Sequence, residues 1–528
     1  MPERFDAVVI GSGFGGAVAA CRLAEQHQSV LVLERGRRWS PDSFPREPGD
    51  AWIFDADAPE RRNGWIDLRV FRDLAVVQGA GVGGGSLIYA NVFVPPDRSL
   101  LAEGWPAEIR DDNLDPLIAE TGRMLQVAEL PDGQLSERHR LMRDAAAATG
   151  ASDRLRKLPL AISFDPGWHK GLPDATHPRH STRFNNRFGR MQGTCTHCGD
   201  CVLGCPVGAR NTLDLNYLAR AEQRGAEIRP LHLVHNLEPD GSGYRVHYGR
   251  LRDGERRPGT VYGERVILAA GSLGSTELLL RCRDAAGSLP DLSPALGRGW
   301  CANGDFLTPA FHAGRRISPT RGPTITTAID YLDGADGGQR YFVEDGGFPD
   351  LIGNALRAML GRHRMTDALY QAFARHLDLL RGDRDPMAHL MPWFGQGVDA
   401  SNGVMTLERS LQDPDTRALD LTWDADPSKA VIEALIARHR TLSAATGGEA
   451  DAPPNWRWFK YLVTPHPLGG CNMADGPGDG VVDHAGRVFN YPRLYVMDGA
   501  AIPRALGLNP SRTIATLAER NVRLLLQE

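Results

Sequence analysis

Apolar residues in this chain recur in two rhythms. Short unbroken runs bounded by glycine, at Val8–Ile10, Val30–Leu33, Arg265–Ala270 and Leu494–Met497, predict buried parallel strands. Apolar positions three and four apart predict helices over Leu114–Val127, Arg140–Thr149, Ala355–Leu380 and Ser428–Thr446. A closing helix from Pro510 to Leu526 places Ile514, Leu517, Ala518, Val522 and Leu525 close to a 3.6 period. Gly403–Leu407 and Leu419–Trp423 read as strands, and Met387–Phe394 as a core strand or as the lining of an apolar pocket. The Gly- and Asp-rich stretches Asp333–Gly338 and Asp345–Gly347 read as lid or surface loops.

The first strand runs into Gly11-Ser12-Gly13-Phe14-Gly15-Gly16, which fits G-x-G-x-x-G, and Ala17–Leu23 continues as a helix. Gly11 permits the tight turn, Gly13 lets a pyrophosphate approach the backbone, and Gly16 permits close helix–strand packing. Free N–H groups at the helix start then face the diphosphate. The second strand ends in Glu34, whose carboxylate can accept both ribose hydroxyls of an adenosine and repels a 2′-phosphate, which disfavours NADP. A lone glycine fingerprint is weak evidence; strand, glycines, helix, strand and terminal Glu in register are strong evidence.

Similar strand-then-glycine character returns at Arg265–Ser275, with a helix through Arg281, and at Leu494–Gly499. One discontinuous α/β, Rossmann-like domain built from residues 1–45, 191–304 and 461–528 explains the three pieces. The insertions 46–190 and 305–460 are then expected to form a mixed α+β substrate-binding domain. The length of 528 residues suits two to four domains.

Composition narrows the class of protein. With 42% hydrophobic and 24% charged residues and a net charge of −5, the chain reads as globular, with no electrostatic case for a nucleic-acid partner. The basic run from His177-Pro178-Arg179-His180 to Arg190 has no aromatic platform beside it and reads as a solvated loop. No segment approaches the roughly 20 apolar residues of a membrane span, and the first apolar run is already the dinucleotide strand, so a cytoplasmic location is expected. Cys21, Cys282, Cys301 and Cys471 are scattered singly, which is no disulfide framework; Cys21 is expected to pack as a small hydrophobe on the dinucleotide helix.

A second glycine cradle, GAGVGGGS at Gly79–Ser86, cannot be a helix interior, and two such cradles point to a cofactor longer than NAD. The opening fingerprint, GAGVGGGSLIYAN, AAGSLGSTELL, HPLGGC and DGAAIPRALGLNPSRTIATLAERN stand in the order of the glucose–methanol–choline (GMC) flavin oxidoreductases, which the chain resembles over nearly its whole length. GSLGSTELLLRCRD, GWCANGD and the Asn in GLNPS make it similar to the cholesterol (3β-hydroxysteroid) oxidase branch.

The resemblance implies FAD and an alcohol substrate. Carried over motif by motif, the FAD contacts are Gly11, Gly13, Phe14, Gly15, Gly16 and Glu34; Gly79, Gly83, Gly84, Ser86 and Ala90; Ala270 and Gly271; Asp498 and Gly499; and Asn509 with Pro510. Members with covalent FAD attach it through a His near the second cradle; none lies between Gly79 and Asn91, so non-covalent FAD is expected.

His466, held between two prolines, is the expected base, taking the hydroxyl proton while hydride leaves for the flavin; a structural histidine is the competing reading. Asn509 is expected to donate to the substrate oxygen or orient the flavin edge, with an ordinary helix N-cap as the competing reading. For the isomerising acid of the steroid branch, Glu408 and Glu344 are candidates by location, and an exposed salt bridge is the competing fate of each. The substrate implied is a bulky hydrophobic secondary alcohol. Primary or aryl alcohols and sugars are the alternative, and a non-catalytic dinucleotide-binding redox sensor is the reading from another class.

Cys195, Cys198, Cys201 and Cys205 form C-x2-C-x2-C-x3-C-P, ending at Pro206. The spacing is that of bacterial ferredoxins and suggests an iron–sulfur cluster. Cys205 either closes the same site or binds nothing, with His197 or Cys301 completing it; zinc and empty thiols are the alternatives. A cluster beside the flavin would favour passing electrons to a protein carrier or quinone over O2.

Overall fold

A computed structural model of the chain describes residues 2–47, 49–351, 386–409 and 417–528. The helix expected over Ala355–Leu380 lies outside the described residues. Among those residues, no helix is long and apolar enough to cross a membrane.

The apolar run at the end of strand Glu3–Ile10 is buried from Ala7 onward, as a strand covered on both faces must be. It pairs in parallel with Val30–Leu33 on one side and with the 14-residue strand Glu255–Leu268 on the other. Glu227–Arg229 extends the sheet beyond Val30–Leu33. The long strand forks: its first half joins the antiparallel strands Gly243–Arg252 and His232–Asp240, and its last residues pair in parallel with Leu494–Val496. This seven-stranded sheet therefore gathers strands from three separated stretches of chain.

Helix Phe14–Glu25 follows the first strand, with ten of its twelve residues buried. Small side chains permit that closeness. A Cβ on Gly15 would lie 1.6 Å from the Met497 carbonyl oxygen, and one on Gly16 would lie 2.2 Å from that of Gly11. Arg22 on this helix makes a bidentate pair with Glu519, and so ties it to the closing helix Ser511–Leu525.

A second, six-stranded antiparallel sheet is drawn wholly from the two insertions. Its order is Glu449–Ala450, Phe306–Phe311, Leu390–Gly397, Tyr341–Asp345, Thr327–Asp330 and Leu155–Lys157. Helix Lys429–Ala445 packs on this sheet. Both readings of Met387–Phe394 have a physical basis: Met391 and Trp393 are fully buried in the core, whereas Phe394, facing the other way, lines a cavity.

Asp345–Gly347 is not a surface loop. Asp345 ends a buried strand, and its carboxylate accepts from the backbone N–H groups of Thr326 (2.6 Å) and Thr327 (2.8 Å) and from the Thr326 hydroxyl (2.6 Å). The fully buried Arg138 guanidinium lies 3.5 Å from it and donates to the carbonyls of Thr324, Gly346, Arg321 and Pro323. An acid and a base buried together satisfy what neither could bear alone. Asp345→Asn removes the only formal countercharge within that contact and should cost about 3–5 kcal/mol, read as a lowered midpoint in urea unfolding; an unchanged midpoint would contradict this account.

Candidate active site

The two glycine cradles meet edge to edge. Gly84 (φ +51°) lies so close to the first loop that a Cβ there would sit 2.7 Å from the Gly13 Cα, and a Cβ on Gly11 (φ +97°) would sit 2.4 Å from the Ala269 carbonyl oxygen. No side chain caps helix Phe14–Glu25, whose preceding residue is Gly13, so its first N–H groups are available to an anion. A cleft of about 1000 Å³ runs along both cradles.

The lining of this cleft includes Gly11, Gly13, Phe14, Gly15, Glu34, Gly79, Gly84 and Ala90, together with Ala270, Gly271, Asp498, Gly499, His466, Asn509 and Pro510. Gly16, Gly83 and Ser86 are not on its wall. Gly16 is occupied with helix–strand packing, and the Ser86 hydroxyl donates to the Gly83 carbonyl (2.7 Å) and accepts from the Leu213 N–H (3.1 Å). They shape the loops from behind.

Glu34 is buried at the end of its strand. One carboxylate oxygen accepts from the Ser12 N–H (3.1 Å) and hydroxyl (2.6 Å), the other from the Gly36 N–H (2.9 Å). Three donors leave lone-pair capacity on the cleft side. Asp498 is more fully committed: it accepts from the Gly271 N–H, the Ser275 hydroxyl and the Ala500 N–H. Its carboxylate therefore pins the start of helix Gly271–Leu280 to the chain after Leu494–Val496. Sequence reading missed the far end of the cleft, where Val234 and His235 line it beside an irregularity in the register of strand His232–Asp240.

At the other end stands His466. Its Nδ1 lies 2.8 Å from Oδ1 of Asp305, whose other oxygen accepts from the Thr464 hydroxyl (2.6 Å) and the His466 N–H (3.2 Å). A carboxylate only accepts, so in the neutral ring Nδ1 is the nitrogen that carries the proton and Nε2 the one with the lone pair. Asp305 is fully buried; desolvation raises its pKa, and the His466 ring opposes that shift.

Asn509 is not a helix cap. The cap position of Ser511–Leu525 is Pro510, and the Asn509 Oδ1, buried, has no hydrogen-bond partner. Its side chain is left to the cleft and to Glu344.

The expectation of an exposed salt bridge for Glu344 is overturned. It lies inside the apolar strand Tyr341–Asp345, fully buried, with one oxygen accepting from Gln396 (2.9 Å) and the other unpartnered. Burial raises its pKa to about 8, while Gln396 and Asn509 hold it down in part. Glu408 is exposed on strand Gly403–Arg409, where it accepts from the Thr406 hydroxyl.

Cys195, Cys198, Cys201 and Cys205 line one small hollow, to which Cys301 does not contribute: it is bonded through its backbone to Leu468 in the active-site loop. His197 also borders the hollow, with its Nε2 bonded to Gln134 (2.9 Å) and its ring stacked on Trp168. Among the described residues, no group of three or more His, Cys, Asp or Glu is arranged to hold a single metal ion.

Comparison with known proteins gives a consistent picture. Family profiles described as GMC oxidoreductase match residues 182–291 and 399–518, and an NAD(P)-binding Rossmann-like domain matches residues 9–58. A cholesterol oxidase of Acinetobacter baumannii is 32% identical over 534 residues, covering 98% of this chain and 93% of that protein. A cholesterol oxidase of Mycobacterium tuberculosis is 33% identical over 549 residues, covering 98% and 91%. The crystal structure of pyridoxine 4-oxidase from Mesorbium loti superposes with a TM-score of 0.61 at 15% identity, covering 99% of each chain, and shares the fold.

The Glu344 environment has a thermodynamic signature. Its pKa is raised from 4.5 to about 8, so between those values the folded chain keeps a proton that the unfolded chain has lost, and stability falls as pH rises. Glu344→Gln removes this dependence. Relative to wild type, the variant should gain roughly 1.4 kcal/mol per pH unit, read by urea unfolding at two pH values inside that window. A difference that stays constant with pH would contradict the buried, protonated state.

Proposed function

The chain belongs to the GMC oxidoreductase family, FAD-binding alcohol oxidoreductases, and from that premise we propose that its substrate is a bulky apolar secondary alcohol of sterol type, oxidised to the ketone beside a non-covalently held FAD. The observation that carries this reading is the imidazole of His466, locked by a buried carboxylate in the same cleft as Asn509, whose buried Oδ1 has no hydrogen-bond partner. The relatives that match nearly end to end are cholesterol oxidases. Apolar side chains that line the same cleft, among them Phe394, Leu307, Ile325 and Val202, suit an apolar scaffold.

FAD held along the two glycine cradles by the loops at Gly11–Gly15 and Gly79–Gly84 would supply the hydride acceptor. His466 Nε2 takes the hydroxyl proton as hydride leaves the carbinol carbon, and Asp305 stabilises the imidazolium that results. The amide of Asn509 holds the substrate oxygen, and the adjoining helix start adds positive potential where negative charge accumulates. Glu344, fully buried against Asn509 and with its pKa raised to about 8, keeps its proton at neutral pH, which supports a role as the acid that moves a proton in isomerising an unsaturated ketone product. The electrons then pass to O2, a quinone or a protein carrier.

His466→Ala should retain FAD and lose flavin reduction by roughly 10²–10⁴-fold, measured by anaerobic stopped flow with a 3β-hydroxysterol. Wild-type reduction rates in the variant would remove His466 from the chemistry. Bleaching of the wild-type flavin by aryl alcohols or sugars but not by sterols would overturn the substrate class.

A further inference from the structure

The proposed oxidation makes no use of the cysteine loop, although the loop is built with unusual care. Its backbone turns left-handed at His197 (φ +58°), Gly199 (φ +87°), Gly204 (φ +75°) and Gly208 (φ +66°), winding the chain around the hollow between the four thiols. Gly199 has no room for a side chain, since a Cβ would lie 2.2 Å from the Thr320 carbonyl oxygen. This winding aims backbone donors at sulfur: the His197 N–H lies 3.4 Å from the Cys195 Sγ, and the Ala209 N–H 3.3 Å from the Cys205 Sγ. Such donors stabilise thiolates and are wasted on neutral thiols.

Two further features point to an occupant. The Thr196 hydroxyl, 1% exposed on the wall of the hollow, has no hydrogen-bond partner. Arg210, 3% exposed, borders the hollow as well, and its guanidinium donates to Asn91 Oδ1 and to the carbonyls of Ser86, Leu87 and Tyr89, none of which carries a charge. A buried arginine with neutral acceptors at a hollow lined by four thiols suits a site that becomes negative when it is filled.

The kind of cation follows from spacing. A single zinc ion draws four sulfurs to about 2.3 Å from one centre, and among the described residues no group of three or more His, Cys, Asp or Glu is placed to hold such an ion, whereas C-x2-C-x2-C-x3-C-P is the spacing of ferredoxin clusters. A four-iron cluster places its own iron and sulfide between the thiolates and holds them wider apart. We propose that Cys195, Cys198, Cys201 and Cys205 bind a [4Fe–4S] cluster, with Pro206 turning the chain away after the last ligand. The site adjoins the catalytic cleft: Val202, within the loop, and Thr324, against Cys201, both line the cleft. The assignment is independent of the sterol reading.

The test uses the full chain, purified without oxygen and, in parallel, reconstituted with ferrous iron and sulfide. About four iron and four acid-labile sulfide per chain are expected, with a paramagnetic signal on dithionite reduction. Cys201→Ser and Cys205→Ser should lose the iron at unchanged FAD content, whereas Cys282→Ser, outside the hollow, should keep it. Should the ligand variants fail to fold, iron and sulfide analysis of the wild-type chain decides the matter. Stoichiometric FAD with no iron after reconstitution, or zinc in its place, would overturn the proposal. Iron with full sulfide in a protein that ignores sterols would instead overturn only the substrate class.

Discussion

The candidate active site hangs from five buried residues, Cys301 to Asp305, which hydrogen-bond to the segments that carry His466 and Asn509. Asp305 holds the Thr464 hydroxyl and both the backbone and the ring of His466. Two residues earlier, Asn303 accepts from the Leu506 and Gly507 N–H groups and donates to the Leu508 carbonyl, fixing the approach to Asn509. Cys301 exchanges backbone bonds with Leu468, just after His466. The distance between His466 and Asn509 is therefore set by one loop, although the two lie 43 positions apart in sequence.

The loop needs its own support, because a left-handed Asn303 (φ +55°) and a buried carboxylate are both costly. Asp399 provides it, accepting from the N–H groups of Ala302 and Gly304 on one oxygen and of Ser401 on the other. Asp399 comes from the second insertion, Asp305 from the start of the antiparallel sheet, and His466 from the return to the parallel sheet. Positioning of the base thus depends on both sheets being folded, which suits a site in which a small displacement is expensive.

Legibility in the sequence followed the range of the interactions. The glycine fingerprint, Glu34 and the parallel strands were readable because strand, turn and helix are consecutive, and His466 and Asn509 because they sit in distinctive local motifs. Asp305 stood inside the GWCANGD segment without an assigned role, since its partners arrive 159 and 161 residues later. Glu344 and Asp345 were misread for one reason: acids beside glycines ordinarily face solvent, and only the tertiary fold shows Gln396 and Arg138 waiting for them. An acid in the middle of the apolar run YFVED was the available signal. Gly83 and Ser86 stand off the cleft wall, and in sequence loop residues that touch a ligand look like those that shape the loop from behind.

The central claim is that Asp305 acts through His466, and not as a separate structural element. A double-mutant cycle on the rate of flavin reduction, with Asp305→Asn, His466→Gln and the pair, tests it most directly. The account predicts that Asp305→Asn slows reduction by roughly 10²–10⁴-fold when His466 is present, and changes it little once His466 has been replaced. Losses that multiply in the double variant would contradict it.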